Sequence, residues 1–308
     1  MNKAAPIVLF TYNRLWHTRQ TVEALLKNEL AAGSDLIVFS DGPKDENSRA
    51  KVDDVRKYLK TIKGFKSIKI IENSKNKGLA ESIISGVTKV VNEYGKIIVL
   101  EDDLVTSPYF LRYMNDGLNL YENYEDVISV AGYSYPLNQK LPETFFVKGA
   151  DCWGWGTWKR GWDLFEPDGQ KLLDELVRQN ITYEFDVLGS YPYTQMLKDQ
   201  IMGKNNSWGV RWNASAFINQ KLSCYPGVSM VQNIGFDKSG VHCGELDIYD
   251  VNLSQKPVSV NNLNPINDKH IVKLIAFFLK PNLFQKIINK IRKFQHRFVK
   301  EFHKKNKN

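Results

Sequence analysis

The sequence predicts an α/β fold with a mostly parallel central sheet and helices on both faces. Short apolar, β-branched runs alternate with helix-like segments over the first third of the chain, an order that calls for parallel strands joined by crossover helices. Polar and acidic residues fall where those strands end, and in such sheets ligands bind beyond the carboxyl ends of the strands. A hydrophobic content of 43% and an aromatic content of 12% in 308 residues support a packed core rather than disorder.

The elements follow in order. Residues 6–12 (PIVLFTY) and 35–40 (DLIVFS) read as strands, with the helix-like TRQTVEALLKN between them. Asp41-Gly42-Pro43-Lys44 supplies turn chemistry. A helix around 49–61, a strand at 67–73, a glycine-bearing turn at 76–80, a helix over 80–93 and a strand at 96–100 complete a β-α-β-α-β-α-β run. Ser107-Pro108 has the form of an N-cap followed by proline at the first helical position, with the helix running to about Tyr121. Strands are expected at 127–131 and 145–148, helices at 169–180, 192–203 and 208–220, and a strand with loop from Leu222 to Gly235. Residues 235–245 read as a flexible turn and 246–268 as a polar linker. The expected organisation is a domain over 1–245, divided into halves at 1–106 and 107–245 (a nucleotide-binding and an acceptor half by the family resemblance given below), the linker, and a basic tail over 269–308.

Charge is unevenly spread. The net +8 is concentrated from Lys269 onward, where twelve Lys and Arg face one acidic residue, Glu301. The rest of the chain is slightly acidic, so the high pI does not point to nucleic acid. Phe284, Ile287, Ile288, Ile291, Phe294, Phe298 and Phe302 share one side of the tail, with Lys286, Lys290, Lys293, Arg297, Lys300 and Lys304 over much of the rest. That pattern suits a basic amphipathic helix on an anionic membrane surface, or a helix docked on the body or a second subunit. No run reaches about 18 uninterrupted apolar residues, and the short apolar N-terminal run reads as a strand rather than a leader. Three cysteines without C-x-x-C spacing fit a reducing compartment.

The chemistry-bearing residues cluster at strand ends. Glu101, Asp102 and Asp103 follow the fourth strand. Adjacent carboxylates there suit a divalent cation that bridges a ligand's phosphates, Mg²⁺ or Mn²⁺ by their preference for oxygen, or else an acidic flank for the following helix. Asp41 fits either an Asx turn or a carboxylate that accepts a base N–H. Arg14 fits a surface charge or a phosphate clamp. Asn76 and Gly78 fit a simple turn or a close backbone approach to a ligand.

Together, TYNR (11–14), SDGPK (40–44), NKGLAES (76–82) and EDDL followed by SPYF resemble the nucleotide-binding half of GT-A glycosyltransferases. The resemblance is to bacterial family 2-like sugar transferases and to N-acetylglucosaminyltransferase I. It continues through WGWGTWKRGW, SWGVRW and NIGFDKSGVHC, covering roughly residues 5–245. The resemblance implies that Asp41 recognises uracil and that Thr11, Arg14, Asn76 and Gly78 help to hold the nucleotide. It implies that Asp103 ligates Mn²⁺ (or Mg²⁺), that Asp102 lies near the ribose and that Glu101 lies near the sugar. Trp153, Gly154, Trp155 and Gly156 resemble an acceptor-side loop. His242 falls where many members place a histidine, a metal ligand in some of them, and equally suits an ordinary loop residue. The 235–245 turn resembles a loop that orders over the donor.

The sequence departs from this pattern at the general base. The family's carboxylate precedes a tryptophan that resembles Trp212, but Gly209, Val210 and Arg211 stand there. Asp199, slightly preferred, and Asp151 are the candidate bases, each equally suited to a structural role. The implied function is a metal-dependent, inverting transfer of a sugar from a UDP-sugar to a hydroxyl of a lipid-linked or surface glycan, as in lipopolysaccharide or capsule synthesis. The implied location is the cytoplasmic face of a bacterial plasma membrane. A sugar-phosphate nucleotidyltransferase and a non-catalytic glycan-binding or scaffold protein are the competing classes. The first lacks its glycine-rich N-terminal loop here, since TYNRLW has no glycine.

Overall fold

A computed structural model describes residues 4–237 and 248–280. Strands β1 (Ile7–Thr11), β2 (Asp35–Ser40), β3 (Ser67–Glu72) and β4 (Lys96–Glu101) run parallel in the order β3-β2-β1-β4. They are joined by helices α1 (Leu15–Leu26), α2 (Glu46–Leu59) and α3 (Leu79–Tyr94). Strands β1, β2 and β4 read as continuous apolar runs because both faces are covered, while β3 on the sheet edge carries partly buried isoleucines among exposed polar residues. Ile7, Leu9, Leu36, Val38, Ile98 and Leu100 pack on one side with Val22, Leu25, Val55 and Leu59 of α1 and α2. Val8, Phe10, Ile37, Phe39, Ile97 and Val99 pack on the other with Ile83, Val87 and Val91 of α3. Helix α2 starts at Asp45, whose carboxylate accepts from Ser48 N at 2.8 Å while Ser48 Oγ accepts from Asp45 N at 3.0 Å. This reciprocal cap fixes the helix three residues ahead of the sequence expectation.

After β4 the chain turns through the acidic triplet into β5 (Leu104–Thr106) and α4 (Phe110–Leu120), then β6 (Val127–Ala131), β7 (Thr144–Lys148) and β8 (Trp155–Trp158). Short α5 (Lys159–Trp162), α6 (Gly169–Arg178), α7 (Thr182–Phe185), α8 (Tyr193–Ile201) and α9 (Trp208–Ile218) precede β9 (Leu222–Pro226) and β10 (Val231–Asn233). The eight-stranded sheet has the order β3-β2-β1-β4-β8-β6-β9-β7. Strand β8 runs antiparallel between β4 and β6, with Trp155 opposite both Val99 and Ala131. Strand β7 is antiparallel on the edge, and β5 pairs with β10 in a separate two-stranded ribbon. The expected mostly parallel α/β architecture is therefore observed, with β8 and β7 reversed.

Two details differ from expectation for identifiable reasons. Helix α4 begins at Phe110 rather than beside Pro108, because Ser107 Oγ donates to the Ser254 carbonyl at 2.6 Å and the first turn is spent on that tie. The glycine-rich WGWGTW segment is mostly strand. Gly156 lies in the sheet interior, where a Cβ would sit 3.1 Å from both the Ile97 carbonyl and Leu118. Trp155 joins Trp208, Trp212 and Trp162 in a cluster with ring centroids 5.2–5.8 Å apart.

The segment expected as a linker lies on the domain wherever it is described. Val258 enters the core, Tyr121 Oη donates to the Asn261 carbonyl at 2.6 Å, and Asp268 N donates to the Phe146 carbonyl at 2.8 Å. Asp268 then caps helix α10 (Lys269–Leu279), accepting from His270 N and Ile271 N at 3.0 Å. Ile271 and Ile275 of α10 bury against Phe145 and Tyr225. The basic amphipathic helix expected beyond Pro281 lies outside the described residues. Among the described residues no helix is long and apolar enough to cross a membrane.

Candidate active site

The site is assembled at one edge of the sheet. Parallel β1, β2 and β4 deliver Arg14, Asp41 and Glu101-Asp102-Asp103 to their carboxyl ends, as read from the sequence. The reversal of β8 brings a second set there: because Trp155 is paired to Val99, residues 149–154 lie beyond the carboxyl end of β4.

Arg14, between β1 and α1, is largely buried and donates Nη2 to Asp102 Oδ1 and, at 2.8 Å, to Asp103 Oδ2. Burial alone would lower the guanidinium's pKa, but the two carboxylates more than reverse this and hold it above its ordinary range. Asp102 is pushed up to about 6, chiefly by burial and then by Asp103, against the pull of Arg14. Glu101 is pushed up to about 8 by burial, reinforced by Asp103 and Asp102, while Arg14 and a hydrogen bond with Trp208 pull it down. The triplet is clamped by main chain as well. Thr21 Oγ1 donates to the Asp102 carbonyl at 2.8 Å, and Ile234 N donates to the Asp103 carbonyl at 2.9 Å. The loop after β10 thus lies across the triplet, and buried His17 of α1 meets Asp237 there, Nε2 to Oδ2 3.1 Å.

The donor set fits a divalent cation. Mg²⁺ and Mn²⁺ are commonly held by one or two carboxylates plus substrate phosphates rather than by a protein cage. Arg14 marks the position of positive charge against Asp102 and Asp103. Gly235 leaves open the side of Asp103 that any side chain would fill, since a Cβ there would lie 2.3 Å from Oδ2. Among the described residues no three His, Cys, Asp or Glu side chains group around a metal position. His242, the expected additional ligand, lies outside the described residues.

Asp41 is placed differently from what the resemblance implies. Its carboxylate accepts from Gly42 N (2.9 Å), Lys77 N (3.0 Å), Gly78 N (2.9 Å), Asn76 Nδ2 (3.0 Å) and Asn73 Nδ2 (3.3 Å). Five donors take up its acceptor capacity, leaving little to receive a base N–H. Asp41 instead fastens the 41–44 turn to the 73–78 turn. Gly42 belongs to the same junction, with a would-be Cβ 2.5 Å from the Lys75 carbonyl carbon. Arg56 of α2, which sequence reasoning missed, donates to the carbonyls of Asp41 (3.3 Å) and Asn73 (2.7 Å). Its only advance signal was a lone arginine on the buried side of an otherwise charged helix. Thr11 is buried at the end of β1, its hydroxyl 3.5 Å from the Phe39 carbonyl.

The two candidate bases occupy different places. Asp199, on α8, pairs with Lys204 at 3.2 Å and accepts from Gln195 Nε2 at 3.1 Å, so its carboxylate is engaged locally on its own helix and the residues that follow. Asp151 sits in the 149–154 loop and accepts from Cys152 N (2.6 Å) and Trp153 N (3.1 Å). Burial raises its pKa, and those two hydrogen bonds oppose the rise. The Cys152 thiol lies between the two acidic groups and is raised by burial, then by Asp151, Glu101 and Asp103. Of the four residues expected to contact acceptor, Trp153 borders Asp151 and Gly154 turns the chain at φ +63°. The expectation is corrected for Trp155 and Gly156, which are enclosed between sheet and helices.

At this edge the acidic corner of the parallel strands and the 149–154 loop that carries Asp151 come together. Residues 7–156 match the family model described as glycosyl transferase family 2, from the start of β1 into β8. The match supports a glycosyltransferase enzyme, in keeping with the resemblance read from the sequence. No curated protein matches the chain. Similar solved structures include the mannosyltransferase PcManGT from Pyrobaculum calidifontis in complex with GDP-Man and Mn²⁺, at 13% identity over 44% of this chain and 37% of that one, TM-score 0.34. S. aureus TarS shows 12% identity over 47% of this chain and 24% of that one, TM-score 0.31. A putative nucleotide-diphospho-sugar transferase from Desulfovibrio desulfuricans G20 shows 14% identity over 54% and 69%, TM-score 0.33. The chain thus spans well under half of the first two proteins, and likenesses at this level bear on no functional detail.

Proposed function

We propose that the chain is an inverting glycosyltransferase that moves a sugar from a UDP-sugar to a hydroxyl of a glycan acceptor, with Asp151 as the general base. The observation that carries this reading is the antiparallel pairing of β8 with β4, which sets Asp151 at the same sheet edge as Glu101, Asp102 and Asp103. The nucleoside lies along the junction that Asp41 and Arg56 hold together. Arg14 neutralises charge on the diphosphate. A divalent cation held by Asp103 and Asp102 would supply further charge neutralisation on the departing diphosphate. The acceptor oxygen attacks the anomeric carbon as the bond to the diphosphate oxygen breaks. The leaving UDP keeps that electron pair, and the acceptor proton passes to the Asp151 carboxylate. Burial suits Asp151 to this task, since a raised pKa makes it a stronger base than an exposed aspartate.

For the tail we propose contact with an anionic membrane surface, which would bring a lipid-linked acceptor to the enzyme at the cytoplasmic face. Its support is the basic, one-sided sequence after Pro281 and the position of α10, which leaves Phe277 82% exposed just before that segment. The expected result is sedimentation with anionic liposomes that weakens with salt; undiminished binding after removal of residues 281–308 would refute it.

The donor claim is tested by a thermal-shift panel of nucleotide-sugars with Mn²⁺, repeated with Asp103→Ala. Stabilisation by UDP-sugars that disappears in the variant is expected. Stabilisation by another nucleotide-sugar alone would replace the donor, and pyrophosphate release from UTP and a sugar phosphate would replace the reaction class.

A further inference from the structure

Beside Asp151 the structure carries a wall of aromatic rings that the transfer chemistry does not require. Trp153 contacts Tyr133 at 4.7 Å between ring centroids and Tyr249 at 5.7 Å. Tyr249 contacts Phe278 of α10 at 6.1 Å, Phe278 contacts Tyr135 at 5.7 Å, and Tyr135 returns to Tyr133 at 5.4 Å. The circuit closes on itself, although its members come from three loops and a helix far apart in sequence. Tyr193, at the start of α8, is a neighbour of Tyr135.

Two features separate this wall from ordinary core packing. Trp153, Tyr135, Tyr193, Tyr249 and Phe278 all keep part of their surface accessible, unlike the enclosed tryptophan cluster on the far side of Trp155. The phenols also gather about one carboxylate. Tyr133, Tyr135 and Tyr193 are raised by burial first, and each then by Asp151 among its neighbours. A pyranose ring presents an apolar C–H face and a rim of hydroxyls, and such a recess answers both: ring faces for the C–H groups, phenol hydroxyls and a carboxylate for the rim.

We propose that this recess is the acceptor subsite, that it takes a pyranose with one free hydroxyl turned to Asp151, and that helix α10 is its outer wall through Phe278. The proposal rests on the transferase reading above and adds the substrate class: the acceptor is engaged through a sugar ring rather than through a protein side chain or a bare lipid phosphate. It also gives 269–279 a part in substrate binding that the sequence had assigned to a tail.

The test is saturation-transfer NMR on the full-length protein. Methyl β-D-glucopyranoside, methyl β-D-galactopyranoside and methyl N-acetyl-β-D-glucosaminide are examined with and without UDP, and UDP binding is followed by calorimetry on the same samples. At least one glycoside is expected to be saturated, most strongly at its ring C–H protons. Its affinity should fall about tenfold in Trp153→Ala and in Phe278→Ala, with UDP affinity within about twofold of the parent; a loss of 1.4 kcal/mol corresponds to tenfold. Tyr193→Phe, which keeps the ring, should cost less than either. UDP binding without saturation of any glycoside would overturn the subsite and leave the transferase reading standing. Saturation without UDP binding would do the reverse. Should the wall serve only to anchor α10, Phe278→Ala would lower the melting temperature with no change in glycoside affinity, and the proposal would fall.

Discussion

The two sides of the site edge are built from opposite materials. On the β1–β4 side, position is set by charge and hydrogen bonds: Arg14 bridges two carboxylates, and Asp41 collects five donors. On the β6–β9 side, position is set by aromatic contacts, and among the described residues Asp151 accepts two hydrogen bonds, both from its own loop. A rigid, ion-paired half suits a donor whose diphosphate is the same whatever sugar it carries. A half made of ring faces suits an acceptor recognised by shape. Under the reading proposed above, losses on the first side should appear as donor affinity and fold stability, and losses on the second as turnover and acceptor affinity.

The sharpest separation is expected from Asp151→Asn. Loss of a general base should lower the transfer rate by roughly 10²–10⁴-fold, measured as UDP release with acceptor present, while UDP binding persists. Asp199→Asn should leave turnover close to the parent; the opposite outcome would move the base to α8. Next comes Arg14→Ala, which leaves Asp102 and Asp103 facing each other without a counter-charge. Removing one partner of a buried ion pair costs about 3–5 kcal/mol, so a marked fall in denaturation midpoint and in UDP affinity is expected. An unchanged midpoint would show that the pair contributes nothing to the fold.

A smaller effect is expected for Asp41→Asn. The substituted amide would turn an N–H₂ group toward the N–H groups of Lys77 and Gly78, costing roughly 1–3 kcal/mol. Proteolysis within the 73–78 turn should accelerate, whereas an exclusive effect on uracil discrimination would restore Asp41 to base recognition. The smallest is a pH effect at Glu101. Its folded pKa of about 8 lies above the ordinary 4.5, so the folded state holds a proton that the unfolded chain releases. That stabilisation is fully present below about pH 4.5 and is lost as pH rises through about 8. Glu101→Gln, compared by thermal unfolding in EDTA, should therefore match the parent near pH 5 and be more stable near pH 9.

The same contrast governs how much could be read in advance. Strands β1 to β4 were legible because each is a short run rich in apolar residues and closed by a turn signal, and their carboxyl ends placed Arg14 and the triplet together. The direction of β8 was not legible. Trp155 and Gly156 look like loop residues because glycine between tryptophans carries no strand periodicity, and their place was decided by Leu118 of α4 and the Ile97 carbonyl. Asp41 was found as a residue, but its partners are mostly backbone N–H groups, which no sequence motif displays. The same gap let Asp199 be slightly preferred to Asp151, since an acid on a surface helix and an acid at a sheet edge are spelled alike.

The reversal of β8 has a further consequence. The family match ends at Gly156, inside the one strand that both halves of the sheet share. That strand therefore joins the four parallel strands β1–β4 to β6, β9 and β7. The 149–154 loop is thereby held at both ends, by Gly149 N, which donates to the Lys221 carbonyl at 3.0 Å, and by the pairing of Trp155 with Val99 and Ala131, so its side chains can change while the strands on either side stay in register.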